Sequence, residues 1–354
     1  MNDYRTAPKV PNEFIIKPVR SIEAFSGEAW PFSNVKPAVF AALGLLYGKT
    51  EKVGNTGALI YSDMEYSVQN VLTGYAFGLF YCMPEPVLSA AIYGLSFTQL
   101  QSPDADEVEK IVTETVSQGN AVYMIESETP FSYLIWGYRN HGEILLGHKF
   151  EEGNDGMNCA LNLDKPAEFS SLEGPFKEIL VFHPNSEPYS RDDAYREALT
   201  RGVQMLTETE PPKEMDFAKV HYGYGQAIYD EWIRQLDQAN KEKKEAFYFT
   251  SPIFPHFIAL LENRTHLYKF LKLYAEMKAD KSLAKAAELC EKLKNNAENG
   301  AQIGFENEWS DPKILALSNN ERRSMLIDTL LECRSLELEI AAYIKVYLEN
   351  TETK

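Results

Sequence analysis

The apolar residues of this chain change their period once, near residue 183, and that change constrains the fold more than any other sequence feature. Between residues 58 and 182 they form short aromatic and β-branched runs. Beyond residue 190 they recur every three or four positions. A period near two suits strands and a period near 3.6 suits helices, so the two stretches cannot bury their side chains in the same kind of layer. The segment His183-Pro-Asn-Ser-Glu-Pro-Tyr-Ser190 between them has linker composition. The expectation is an α+β chain with an N-terminal domain over residues 1–184 and an all-α domain over residues 185–354.

Within the first stretch, Ser33 or Asn34 can cap a helix over about residues 35–47, with Pro37 in its first turn and Gly48 as its stop. Strand candidates follow at residues 58–61, 75–82, 90–97 and 121–125, with an acidic helix at 104–118 before the last of these. Residues 131–138 and 143–146 flank Arg139-Asn140-His141-Gly142 and read as a β-hairpin. A final strand is expected at 178–182. Helices are expected at about 191–207, 224–240, 255–263, 265–279, 282–295 and 320–348. No fixed-period repeat is present, so a solenoid is not supported.

With 44% hydrophobic residues among 354, either domain can bury a real core. The 52 Asp and Glu against 35 Lys and Arg give a formal charge of -17, and no basic run offsets it. Such a surface repels a phosphate backbone, so nucleic acid is not an expected partner. The first fourteen residues lack an apolar signal core, and nowhere do eighteen or more apolar residues run together. The expectation is a soluble cytoplasmic protein with no membrane partner.

Cys82, Cys159, Cys290 and Cys333 have no zinc-type or CxxC spacing and are expected to be free thiols. Cys333 falls in the stripe Leu326, Leu330, Cys333, Leu336, Ile340, Ile344, Tyr347, and Cys290 lies among Leu283, Ala287 and Leu293. Both read as core positions, since a free Cys behaves as a small hydrophobe.

Four stretches carry a family resemblance. They are Asn34-Val-Lys-Pro-Ala-Val-Phe-Ala-Ala-Leu-Gly-Leu-Leu-Tyr-Gly48, Val71-Leu-Thr-Gly-Tyr-Ala-Phe-Gly78, Gln118-Gly-Asn-Ala-Val-Tyr-Met-Ile125 and Leu134-Ile-Trp-Gly-Tyr-Arg-Asn-His-Gly-Glu-Ile-Leu-Leu-Gly147. In this order, over roughly residues 20–184, the chain resembles the papain-like domain of butirosin biosynthesis protein H and the related bacteriocin-processing peptidases. Through Gly223-Tyr-Gly-Gln-Ala-Ile-Tyr-Asp-Glu-Trp-Ile233 the second half resembles the helical extension of bacterial members of that family.

The resemblance implies a Cys at the start of the first helix, a His at the start of the hairpin's first strand, and an Asp or Asn near the end of its second. A helix dipole and an imidazole together favour a thiolate, and the third residue orients the imidazole. This chain departs at each position. The helix start offers Ser33, Asn34, Val35 and Lys36, and no Cys precedes Cys82. Phe131 and Ser132 stand where the His belongs, and the acid position falls near Gly147 or His148. A thiol-dependent peptidase or acyltransferase is therefore disfavoured. Trp30, Phe32, Asn34 and Phe131 would line an aromatic cleft at the vacated site, or plug it.

Other constellations have plainer explanations. Ser26 or Ser33 with His141 or His148 makes a Ser-His pair geometrically conceivable, although a cap and a solvated turn explain the same residues. Glu262 and His266 are four apart, but Asn263-Arg264-Thr265 reads as a helix boundary, and no metal or other cofactor is expected. His221-Tyr-Gly-Tyr-Gly-Gln lacks the spacing of a phosphate loop. Ile228, Tyr229, Trp232, Ile233 and Leu236 share a helix face and read as packing, and Asn240-Lys-Glu-Lys-Lys-Glu245 reads as a solvated helix end.

Three functions stay open: a degenerate papain-like binding or accessory protein in peptide or secondary-metabolite processing, an acyltransferase or hydrolase with an unconventional Ser/His site, and a structural protein that self-associates through its C-terminal helices.

Overall fold

The computed structural model describes residues 11–16, 22–23, 52–53, 59–60, 63–72, 74–78, 94–126, 131–151, 160–161, 167–169, 176–184, 187, 189–209, 225–243, 253–304 and 319–352. The chain is mixed α+β, with an antiparallel sheet and a helical C-terminal region. It divides into two compact units, one of residues Met1–Tyr66 and Tyr93–Pro188, the other of Ser67–Ile92 and Tyr189–Lys354.

The first unit is built on a seven-stranded sheet. Its strands are β1 (Phe14–Ile15), β5 (Leu95–Gln101), β6 (Val122–Glu126), β7 (Phe131–Arg139), β8 (Ile144–Glu151), β10 (Ala167–Phe169) and β11 (Phe176–Pro184). They run in the order β10-β8-β7-β6-β11-β5, with β1 beside the end of β7, and every pairing is antiparallel. A smaller sheet joins β3 (Lys52–Val53), β4 (Leu59–Ile60), β2 (Ile22–Glu23) and β9 (Ala160–Leu161), with β2 and β4 parallel.

Helix α2 (Ala105–Ser117) covers one face of the large sheet. Asp104 starts it by accepting the Glu107 N–H at 2.8 Å, the capping role its side chain favours. Val108, Val112 and Val116, spaced by four, then lie on one stripe and pack on Val122, Met124, Tyr133, Ile135, Tyr138, Ile179 and Val181. Full burial of each such valine is worth about 1.5–3 kcal/mol. A register shift between Ile135 and Gly137 explains why Ile135 and Tyr138, an odd number apart, reach the same face. The alternate residues Tyr123, Leu134, Trp136, Leu146 and Leu180 are also buried, so the sheet has two covered faces.

The hairpin turn is seated on α2. Gly142 has a φ of 110°, and a Cβ there would lie 2.5 Å from Thr113 Cγ2. Only glycine satisfies both the conformation and the contact.

In the second unit, α3 (Arg191–Thr207), α4 (Gln226–Lys241), α5 (Ile253–Lys278), α6 (Lys281–Gly304) and α7 (Asn320–Glu352) carry the mass of the fold. Helix α6 lies along both α5 and α7, while α3 and α4 pack on α7. The whole stripe from Leu326 to Tyr347 is buried, and so are Cys290 and Cys333, both free thiols. Tyr195, Phe270, Tyr274 and Tyr347 meet mainly edge to face, and the Tyr347 hydroxyl donates to that of Tyr274 at 3.0 Å. No helix among the described residues is long and apolar enough to cross a membrane.

Four sequence expectations change. Helix α1 (Asp63–Leu72), for which no element was expected, precedes the 75–82 run, and its last six residues belong to the helical unit. Residues 75–77 form a single 3-10 turn rather than the start of a strand. Gly74, at φ 81°, breaks the chain after α1, and its carbonyl accepts the N–H groups of Phe77 and Gly78. The helices expected at 255–263 and 265–279 are one, because Asn263 and Arg264 are buried and fill the helix interior instead of ending it. Where a contiguous division at residue 184 was expected, the contacts group Ser67–Ile92 with the helices. The helix expected at 35–47 lies outside the described residues.

Candidate functional site

The hairpin that would carry the base of a papain-like site forms as β7 and β8. Phe131 stands opposite Glu151, Ser132 opposite Phe150 and Ile125, and Leu134 opposite His148. His148 thus stands two positions from Phe150, the residue paired with Ser132, in the β7–β8 register. Trp30, Phe32, Ser33 and Asn34 lie outside the described residues, as do Ser26, Cys82 and Cys159. His141 is exposed at the tip of the turn with φ 57°, held by its own N–H donating to the Asn12 carbonyl at 3.0 Å.

Among the described residues, a dense group of buried polar side chains lies in the helical unit. Arg264 on α5 and Glu337 on α7 are 0% and 1% exposed and pair through Nε at 2.8 Å and Nη2 at 2.6 Å, both to Oε1. Arg264 Nη1 donates to the carbonyls of Ala76 at 2.7 Å and Gly78 at 3.2 Å. Asn263 Nδ2 donates to the same Gly78 carbonyl at 2.8 Å. One turn along α5, His266 Nδ1 and Ser67 Oγ are hydrogen-bonded at 3.1 Å, both residues buried.

The electrostatics follow from burial. Desolvation raises the Glu337 carboxyl pKa, with Arg264 opposing the shift. Desolvation works against the Arg264 charge too, but Glu337 more than offsets it and its pKa is raised. Burial pushes the Cys290 thiol up to about 12 and raises that of Cys333, whose neighbour Glu337 adds to the effect. The raised pKa and full burial both disfavour a thiolate at either sulfur. Cys290 Sγ instead donates to the Arg264 carbonyl at 3.5 Å.

Glu262 and His266 do share the continuous helix α5, but the His266 ring nitrogen is engaged by Ser67. Among the described residues no group of three His, Cys, Asp or Glu is placed to hold a metal ion. Sequence reasoning missed Arg264 and Glu337. Their signal was phase: Arg264 interrupts Leu260, Leu267 and Leu271, and Glu337 interrupts Cys333, Ile340 and Ile344, each charge on an apolar stripe. No protein-family model matches the chain, and no curated protein matches it in sequence.

Proposed function

We propose that the chain is a non-catalytic binding or accessory protein on a degenerate papain-like N-terminal unit, serving peptide or secondary-metabolite processing in bacteria. The observation that carries this reading is the residue set at the hairpin: β7 opens on Phe131 and Ser132 where the resemblance calls for a His. Residues 1–81 supply no thiol to pair with a base. The resemblance would bring Trp30, Phe32, Asn34 and Phe131 to that site, and residues of these types suit an apolar or peptidic ligand. Loss of an ionisable group there removes proton transfer but leaves area for burial.

The second reading, a Ser/His acyltransferase or hydrolase, draws on the β7–β8 register, in which His148 stands two positions from the partner of Ser132. Labelling the purified chain with a fluorophosphonate and with iodoacetamide separates the two. The binding reading expects no activity-dependent label on Ser26, Ser33 or Ser132, and a melting-temperature rise with hydrophobic peptides that Phe131→Ala abolishes. A fluorophosphonate adduct on one of these serines that His148→Ala removes would establish the enzyme instead.

A further inference from the structure

Residues 67–78 come from the first half of the chain, yet Ser67, Ala76 and Gly78 each make polar contacts with helix α5. Ser67 meets His266, and the carbonyls of Ala76 and Gly78 accept from Arg264 and Asn263. The Phe77 ring lies over Gly202 of α3, where a Cβ would come within 2.4 Å of Cε1 and Cζ. Val68, Val71, Leu72, Ala76 and Phe77 are all 2% exposed or less.

This arrangement resembles a ligand in its site more than a surface connection. A glycine floor admits an aromatic ring, and two donors from adjacent residues of α5 are aimed at main-chain carbonyls. Arg264 cannot turn away, because Glu337 holds its Nε and Nη2 on the opposite side. The guanidinium fork is rigid and planar, so fixing two nitrogens fixes the third.

We propose that residues 67–78 are a plug that completes the helical unit, and that Arg264, oriented by Glu337, is the positioning residue that latches it. The helical fold is thus made from two stretches of chain and is not separable at residue 185. The 75–78 turn is protected by its seat, since the turn itself contributes only short-range bonds from Phe77 and Gly78 to the Gly74 carbonyl.

Hydrogen exchange of the full-length chain, read on peptides spanning 67–78 and 283–297, tests this. In the wild type both stretches exchange slowly and by the same denaturant-sensitive route. Arg264→Met speeds exchange of 67–78 at least tenfold relative to 283–297. Arg264→Met/Glu337→Leu removes both buried charges and regains the melting temperature, but leaves 67–78 fast because its carbonyl donors are gone. Gly202→Ala displaces the Phe77 ring with the charges untouched and gives the same selective loss, which reads the seat even if the Arg264 variants do not fold. Fast exchange of 67–78 in the wild type while 283–297 stays protected would overturn the proposal. So would slow exchange of 67–78 retained in the double variant or in Gly202→Ala.

Discussion

Arg264 and Glu337 show what a charge does inside a helical core. Each ion pays a desolvation penalty of several kcal/mol, and the pair is tolerated because carbonyls 76 and 78 accept from Arg264 Nη1 while Nε and Nη2 lie against the Glu337 carboxylate. Arg264→Met is expected to cost about 3–5 kcal/mol in urea unfolding, since it strands Glu337 and two carbonyls. Arg264→Met/Glu337→Leu is expected to cost less than the single change, and a double variant worse than the sum of the singles would contradict the pairing. The pH dependence has a definite sign. Because Glu337 binds its proton more readily in the folded chain than in the unfolded one, acidification from above its folded pKa down to the ordinary carboxylate range favours the fold. Wild-type stability measured against Glu337→Gln should therefore rise as pH falls through that window, and a difference that shrinks would reverse the direction of the shift. At neutral pH, Cys290 and Cys333 should resist a thiol reagent until the chain unfolds. Rapid native labelling of either would show that its helix opens.

At the scale of elements, pattern and cap together decided most outcomes. Helix α2 was legible because Asp104 caps it and the valines keep a spacing of four. Asp104→Ala is expected to cost about 1 kcal/mol of thermal or chemical stability. Gly142→Ala should cost more than that cap, because it combines a positive φ with a clash on Thr113. A Gly142→Ala variant as stable as the wild type would show that the turn lifts off α2 freely. The errors had local causes. Asn263-Arg264-Thr265 looks like a helix end, since polar residues there usually seek water, but in the fold Thr265 donates back to Leu261 and its two neighbours bond inward. Tyr75-Ala-Phe reads as strand by propensity, yet an aromatic residue suits any buried surface, and Gly74 and the α3 seat chose the turn.

For the whole molecule, the interleaved division predicts how the chain responds to cutting. A single proteolytic nick between residues 185 and 190 should leave both fragments eluting together under native conditions, because residues 67–78 of the first fragment remain seated on α3 and α5. Separate elution of two folded fragments would restore the contiguous boundary at residue 184.

The sequence by itself determined the change from short strands to long helices near residue 183, the hairpin and its turn, and the buried stripe of α7. Those features depend on periods of two or 3.6 and on residues a few positions apart, so they are written locally. Only the tertiary structure decided that Val71 to Gly78, one of the four stretches that carry the papain-like resemblance, lies in the helical unit. Its partners, Gly202, Asn263 and Arg264, are more than a hundred residues away. A charge on an apolar stripe announces that a partner exists, but which carbonyl or carboxylate answers it is settled by packing in three dimensions, where sequence distance no longer sets proximity.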